Sequence, residues 1–87
     1  MNAIEIENIT LTGAWQGFLM KEPIVSIAVQ NRAASDVLFS DTVTGIAYST
    51  IKSGNSFTFE GYNLGTEGQT VYFKGTGVLE IIKQITK

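Results

Sequence analysis

Three carboxylate side chains are the first candidates for chemistry in this sequence. Glu5 and Glu7 alternate along one segment and would therefore share one face of a strand, and Glu80 could lie across from them on another strand. Three such carboxylates are able to bind a hard cation such as calcium, which accepts oxygen ligands alone. A solvated strand face whose charges discourage edge pairing explains the same residues. We favour this second interpretation and assign no metal site.

The sequence contains no histidine and no cysteine. Nucleophilic catalysis by a serine or threonine needs a neighbouring base, which is most often histidine, and no serine here stands in an elbow-type motif. The same two absences remove disulfides and the usual ligands of zinc, copper and haem. We therefore expect a protein that is not an enzyme, with no catalytic residues and no cofactor.

Two glycine-rich segments, residues 65–68 and 74–77, resemble loops that cradle phosphate groups. A phosphate-binding glycine loop normally leads into the N-terminus of a helix, and neither segment does so. We interpret both segments as hairpin turns.

Four aromatic side chains form a candidate platform for sugar rings: Trp15, Tyr48, Tyr62 and Tyr72. Tyr72 is the best of these, because the alternation of its strand turns it away from Val71 and Phe73. Exposed tyrosine is also common at protein interfaces, where it offers a large contact area and a polar tip. We expect Tyr72 to contact a protein.

Residues 13–23 are predicted to form an irregular apolar loop or arm, since two glycines and a proline punctuate this stretch. Its large apolar side chains are Trp15, Phe18, Leu19 and Met20. Two accounts of the segment compete: a loop folded over the domain's own core, or an arm packed on a neighbouring subunit. Apolar loops on small domains often mark interaction sites, and we therefore place these four residues, with Tyr72, in a protein interface.

Strict alternation of apolar and polar residues in segments 56–60 and 70–74 predicts half-buried strands. Short strands separated by turn residues every 8–12 positions are typical of a sandwich or barrel. The prediction is an all-β fold with little or no helix. It is a single domain over residues 1–87, a small antiparallel β-sandwich or flattened barrel of seven to eight strands.

The alternation also makes four local predictions. The apolar phase changes after Glu7, which predicts a bulge or bend near Asn8. A strand is expected over residues 46–51, followed by a hairpin turn at residues 52–55. The inward phase of the strands predicts a core of Ile27, Val29, Phe39, Phe57, Phe59, Val71, Phe73 and Ile81.

Length and charge restrict the possible partners. A chain of 87 residues with a net charge of −2 has its six basic residues scattered singly, which argues against nucleic acid. No apolar run approaches the ~20 residues of a membrane span, and no signal peptide is recognisable, so we expect synthesis in a cytoplasm and no membrane partner. Because so short a chain has a small core, we expect stabilisation by copies of itself or by a larger assembly.

Residues 27–82 resemble small β-rich structural proteins of tailed bacteriophage virions. The resembling pattern is a strand ending at residues 29–31, a polar turn, a strand over 37–39, segment 47–51, turn 52–54, and strands over 56–59 and 71–75. The resemblance implies a virion location and a non-enzymatic decoration, head-fibre or tail-associated protein. Such a protein acts in many copies by binding capsid or tail subunits and copies of itself.

Two other functions remain open at this point. One is a carbohydrate- or receptor-binding β-sandwich module on a virion or cell surface. The other is a small host-derived adaptor with no role in a virion.

Overall fold

The computed structural model describes residues 2–60 and 65–86, and these residues form eight strands and no helix. The described part of the chain therefore has no helical segment able to span a membrane. The strands are β1 (Asn2–Thr12), β2 (Gln16–Met20), β3 (Ile24–Asn31), β4 (Val37–Ser40), β5 (Ser49–Ile51), β6 (Ser56–Glu60), β7 (Gln69–Lys74) and β8 (Thr76–Thr86). The predicted all-β class and strand number are confirmed.

The strands form two four-stranded antiparallel sheets that enclose one core. The first sheet has the order β1-β8-β3-β6 and the second has the order β2-β7-β4-β5. Consecutive strands lie in different sheets throughout, except for β4 and β5, which pair with each other. This arrangement is a jelly roll, in which the chain crosses repeatedly from one sheet to the other.

The prediction of three hairpin turns is wrong. Residues 52–55 connect β5 to β6, residues 65–68 precede β7, and residue 75 connects β7 to β8, and in each case the two strands belong to different sheets. Glycine and polar residues reverse the chain in a crossover as readily as in a hairpin. The composition of these segments therefore predicts where the chain reverses direction, but it does not predict which strands pair.

The first strand is regular, and the predicted bulge near Asn8 does not occur. β1 pairs with β8 without a register shift, from Asn2 opposite Thr86 to Thr12 opposite Thr76. Because the pleat is unbroken, Leu11 faces the core while Ile4 and Ile6 face solvent on the outer side. The apolar phase changes along the sequence because β1 is apolar on its outer side at Ile4 and Ile6 and on its inner side at Leu11.

The core lies between the sheets and contains five of the eight predicted residues as buried side chains: Ile27, Val29, Val71, Phe73 and Ile81. Phe39 and Phe57 are half-buried and pack against it. Phe59 has the predicted inward phase, since it pairs with Ile27, but it is 39% exposed. Its placement in the buried core is therefore wrong. The edge strand β5, with three residues, leaves its ring uncovered.

The predicted strand over residues 46–51 is shorter than expected. Only Ser49–Ile51 is extended and paired. Residues 41–48 form a loop between β4 and β5, in which Ile46 and Tyr48 are strongly exposed.

Candidate interaction surfaces

The predicted irregular arm at residues 13–23 contains a regular strand. β2 pairs with β7 from Gln16 opposite Phe73 to Met20 opposite Gln69. Its alternation sends Phe18 and Met20 into the core, where they are 9% and 5% exposed. These two residues stabilise the protein's own core, so the interface predicted for all four apolar residues of the segment needs correction.

Gly17 explains why this alternation was missed in the sequence. Glycine has no side chain to mark the outer face, so the strand reads as an unbroken apolar stretch. On the outer face Gly17 leaves space for two neighbours on β7, because an added Cβ would lie 3.1 Å from Thr70 Cγ2 and 3.4 Å from Tyr72 Cε1. The absent side chain is therefore the local sign of a close cross-strand contact.

Three of the five predicted interface residues share the outer side of the second sheet. Tyr72 is half-buried and lies opposite Gly17, and Leu19 is 45% exposed opposite Thr70. Trp15, just before β2, lies beside them, with the Lys74 Nζ 5.8 Å from its ring centroid. The outward orientation predicted for Tyr72 is confirmed by the burial of its neighbours Val71 and Phe73.

The loop of residues 41–48 packs against this side of the second sheet. The Ser40 hydroxyl donates a hydrogen bond of 2.7 Å to the Ala47 carbonyl oxygen, and Gly45 lies so close to the Trp15 indole that a Cβ would overlap it. The loop itself exposes three large side chains: Val43 at 60%, Ile46 at 87% and Tyr48 at 59%. We call the set Trp15, Leu19, Tyr72, Val43, Ile46 and Tyr48 the Trp15 surface.

The aromatic platform proposed for sugar rings is only partly assembled. Trp15 and Tyr72 lie on the same side of the second sheet, and Tyr48 lies on the loop beside it. Tyr62 falls outside the described residues.

A cleft of about 540 Å³ opens between the edge strands β5 and β6. Three phenylalanine rings line it: the Phe57 centroid is 5.2 Å from that of Phe39 and 5.0 Å from that of Phe59. Its remaining lining residues are Ser49, Thr50, Ile51, Lys52, Asn55 and Ser56. The cleft is therefore suited to hold an apolar or ring-shaped group, with hydroxyl, amide and ammonium groups at its rim.

The outer face of the first sheet exposes isoleucines in the middle of its long strands. Ile4 is 71% exposed, Ile6 is 68% exposed and Ile82 is 37% exposed. Ile6 and Ile82 are direct partners across β1 and β8, and Ala28 continues the row on β3. We call these four residues the isoleucine face.

Glu5 and Glu7 of β1 and Lys83 of β8 point to the opposite side from the isoleucines. Lys83 Nζ lies 3.5 Å from Glu5 Oε1 and 3.2 Å from Glu7 Oε2. Glu80 lies on the outer side and pairs with Arg32 at 3.1 Å. The three carboxylates considered for a cation therefore do not converge, and among residues 2–60 and 65–86 no three ligating groups form a metal cluster.

Comparison with known proteins indicates a fold and no family. No family model and no curated protein matches the sequence. The chain is similar to the solution structure of a de novo designed double-stranded β-helix, with a TM-score of 0.57 and 14% sequence identity over 94% of this chain and 97% of that chain. This likeness establishes the fold alone.

Proposed function

We propose that this protein is a non-enzymatic structural protein of a bacteriophage virion, a decoration or accessory subunit present in many copies. It binds a capsid or tail protein through the Trp15 surface. The virion context comes from the resemblance of residues 27–82 to small β-rich virion proteins. The observation that supports a binding role is the concentration of exposed apolar side chains on the Trp15 surface.

The composition of the Trp15 surface fits a protein contact. Contiguous apolar patches on small soluble domains mark interaction sites, and tryptophan and tyrosine are the side chains most often found at binding hot spots. Trp15 is held between Lys74 and Gly45, so little side-chain freedom would be lost on binding. Ile46, at 87% exposure, gains the most from being covered.

The proposal is tested by the inventory and reconstitution of purified virus particles. Mass spectrometry of particles should detect the chain in many copies for each particle. Co-sedimentation with particles lacking the protein should then require the Trp15 surface, so that the double variant Trp15→Ser with Leu19→Ser fails to sediment. Phe59→Ser is the matched control, because Phe59 is exposed to a similar extent but lines the cleft.

Absence of the chain from particles, or unchanged sedimentation of the double variant, would refute the proposal. Both variants keep the buried residues Phe18 and Met20, so circular dichroism is expected to confirm a folded β-protein in each case.

A carbohydrate- or receptor-binding module is the second candidate, and the cleft favours it. Its volume of about 540 Å³ lies in the range of small-molecule sites, and aromatic rings with a polar rim suit a sugar ring. A glycan array tests this candidate. It is supported if the wild type binds a glycan, if Phe59→Ser loses that binding, and if the Trp15 and Leu19 double variant keeps it. Failure of the wild type to bind any glycan removes the sugar-binding form of it.

A further inference from the structure

We infer that the isoleucine face is the contact through which two copies of this chain pack face to face, first sheet against first sheet. The inference deepens the proposed multi-copy function by naming one partner, a second copy, and the surface that meets it. It depends on a different surface from the one proposed to bind the virion.

The first half of β1 has the reverse of the usual polarity, whereas Leu11, Leu79 and Ile81 face the core in the ordinary way. In a sheet with one solvated side, charges normally face water and isoleucines face the core. Here Glu5, Glu7 and Lys83 face inward at one end of the sandwich, while Ile4 and Ile6 are about 70% exposed on the outer side. Such a reversal leaves apolar area in water unless another surface covers it.

The outer face of the first sheet also has the anatomy of an interface. Its centre is the row of Ile6, Ile82 and Ala28, which runs across three adjacent strands. Around it lie uncharged polar residues on the same side of the sheet: Asn2, Asn8, Thr10, Ser26, Gln30, Thr58, Gln84 and Thr86. An apolar centre with a polar rim is the usual arrangement of a protein–protein contact.

The charges on this face permit a second copy as the occupant. The chain is acidic, with a net charge of −2, and two like-charged copies associate best through an uncharged surface. On this face Glu80 is neutralised by Arg32 at 3.1 Å, and Glu60 lies on the edge strand β6. The centre of the contact therefore brings no like charges together.

The size of the face bears on whether it can hold a dimer together. Its strands have 11, 11, 8 and 5 residues, and at about 3.4 Å per residue and about 4.8 Å between strands they cover roughly 570 Å². Two copies would then bury about 1,100 Å² in total, just above the ~1,000 Å² that a specific interface needs. Two sheets of this shape pack about 10 Å apart with their strands inclined by about 30°.

Pairing of the two copies through the edge of β1 is a less favourable arrangement. β1 is an edge strand, and antiparallel pairing with its own copy around the middle of the strand would bring Glu5 and Glu7 of both copies together. Like charges directly opposite each other destabilise a strand pair, and inward charges are a known device against edge pairing. Face-to-face packing keeps these carboxylates on the far side of the sheet.

Analytical ultracentrifugation and light scattering of the full chain over a concentration series test the inference. The wild type should reach twice the chain mass of 9.4 kDa. Ile82→Lys should weaken the dimer at least about thirtyfold, which corresponds to the ~2 kcal/mol of a hot spot. Ala28→Lys should do the same, and because Ala28 lies on the interior strand β3, its effect separates face packing from pairing at the β1 edge.

Ile46→Lys is the matched control, since it makes the same change at a more exposed isoleucine on the Trp15 surface. It should leave the dimer intact. A wild type that stays monomeric up to about 100 μM would overturn the inference, because specific interfaces have Kd values of roughly micromolar or below. Unchanged dimerisation of Ile82→Lys or Ala28→Lys would overturn it as well. If Ile82→Lys loses the dimer but the wild type is never found in particles, the inference is supported and the proposed virion function is refuted.

Discussion

The side-chain amide of Asn31 lies 2.8 Å from the carbonyl oxygen of Ile51 and so links the end of β3 in the first sheet to β5 in the second. The same Nδ2 donates to the Ser35 carbonyl oxygen at 3.0 Å, and the Asn31 Oδ1 accepts from the Ala33 amide at 2.8 Å. Asn31 is fully buried. A buried amide with all these partners satisfied specifies how the two sheets meet beside the cleft.

We expect Asn31→Ala to lower the free energy of unfolding by about 3 kcal/mol, because buried donors and acceptors lose their partners. Asn31→Asp should be at least as destabilising at neutral pH, since it directs a carboxylate oxygen at two carbonyl oxygens. Urea unfolding measures both. Gln30→Ala, at the exposed neighbouring position, is the control and should change stability by less than about 0.5 kcal/mol; an equal loss there would contradict the role of Asn31.

Two phenylalanines with the same inward phase are expected to differ strongly in their contribution to stability. Phe73 is 2% exposed, and its ring centroid is 5.2 Å from that of Phe39, so Phe73→Ala should cost about 3–5 kcal/mol. Phe59 is 39% exposed at the cleft, and Phe59→Ala should cost about 1–2 kcal/mol because less apolar area is lost. Denaturant unfolding of both variants checks this, and equal losses would show that the cleft is closed in solution.

The contact between Gly45 and Trp15 predicts a conformational effect at the loop of residues 41–48. Gly45 has φ +65°, and a Cβ there would overlap the indole ring, whereas Gly54 has φ +81° and no heavy atom within 4 Å of an added Cβ. Both alanine variants carry the strain of positive φ, about 1 kcal/mol. Gly45→Ala alone should also displace the indole, which a red shift in the fluorescence of the single tryptophan would report. An emission spectrum shared by the two variants would argue against the contact.

The ion pairs of Lys83 should contribute little to stability. Its side chain is 17% exposed, but the carboxylates of Glu5 and Glu7 are about half exposed, and such pairs are usually worth less than about 1 kcal/mol. Lys83→Met keeps an aliphatic chain near the Phe18 ring, 6.0 Å from the Lys83 Nζ, and should change the unfolding free energy by less than about 1 kcal/mol. Lys83→Ala should cost more through lost packing. Thermal unfolding separates the two substitutions, and an equal loss in both would assign the effect to charge.

Local alternation predicted the strands well because the pleat of a strand is a local property. The inward phase of Val71 and Phe73, and with it the outward position of Tyr72, follows from period two alone. Burial of Phe59 was wrong because it depends on whether the opposite sheet extends far enough to cover the ring. That sheet ends at β5, an edge strand of three residues that lines the cleft with Phe59 without covering its ring.

The interaction surfaces were less predictable because they depend on which sides of the strands are left uncovered. Phe18 and Leu19 are adjacent and similarly apolar, yet one is buried and the other is 45% exposed. The isoleucine face was not predicted from the sequence, for a related reason. The sequence separates Ile4 and Ile6 from the glutamates between them but does not tell which side faces inward; the continuous register of β1 with β8, with Leu11 inside, places both isoleucines outside. Register between strands far apart in sequence is not encoded in either strand alone.

The nested pairing of the strands determines the order in which the chain is able to fold. The innermost pair, β4 with β5, closes a loop of about a dozen residues, as between Leu38 and Thr50, while β1 with β8 joins Asn2 to Thr86 across nearly the whole chain. Closing the short loop first shortens the effective loop for each later pair, because closure entropy grows with loop length. Folding should therefore be slow, in the millisecond-to-second range of non-local β-proteins, and should end with β1 docking onto β8. In that last step the isoleucines of β1 join the outer face, so a surface that receives a second copy would exist only on a completed chain.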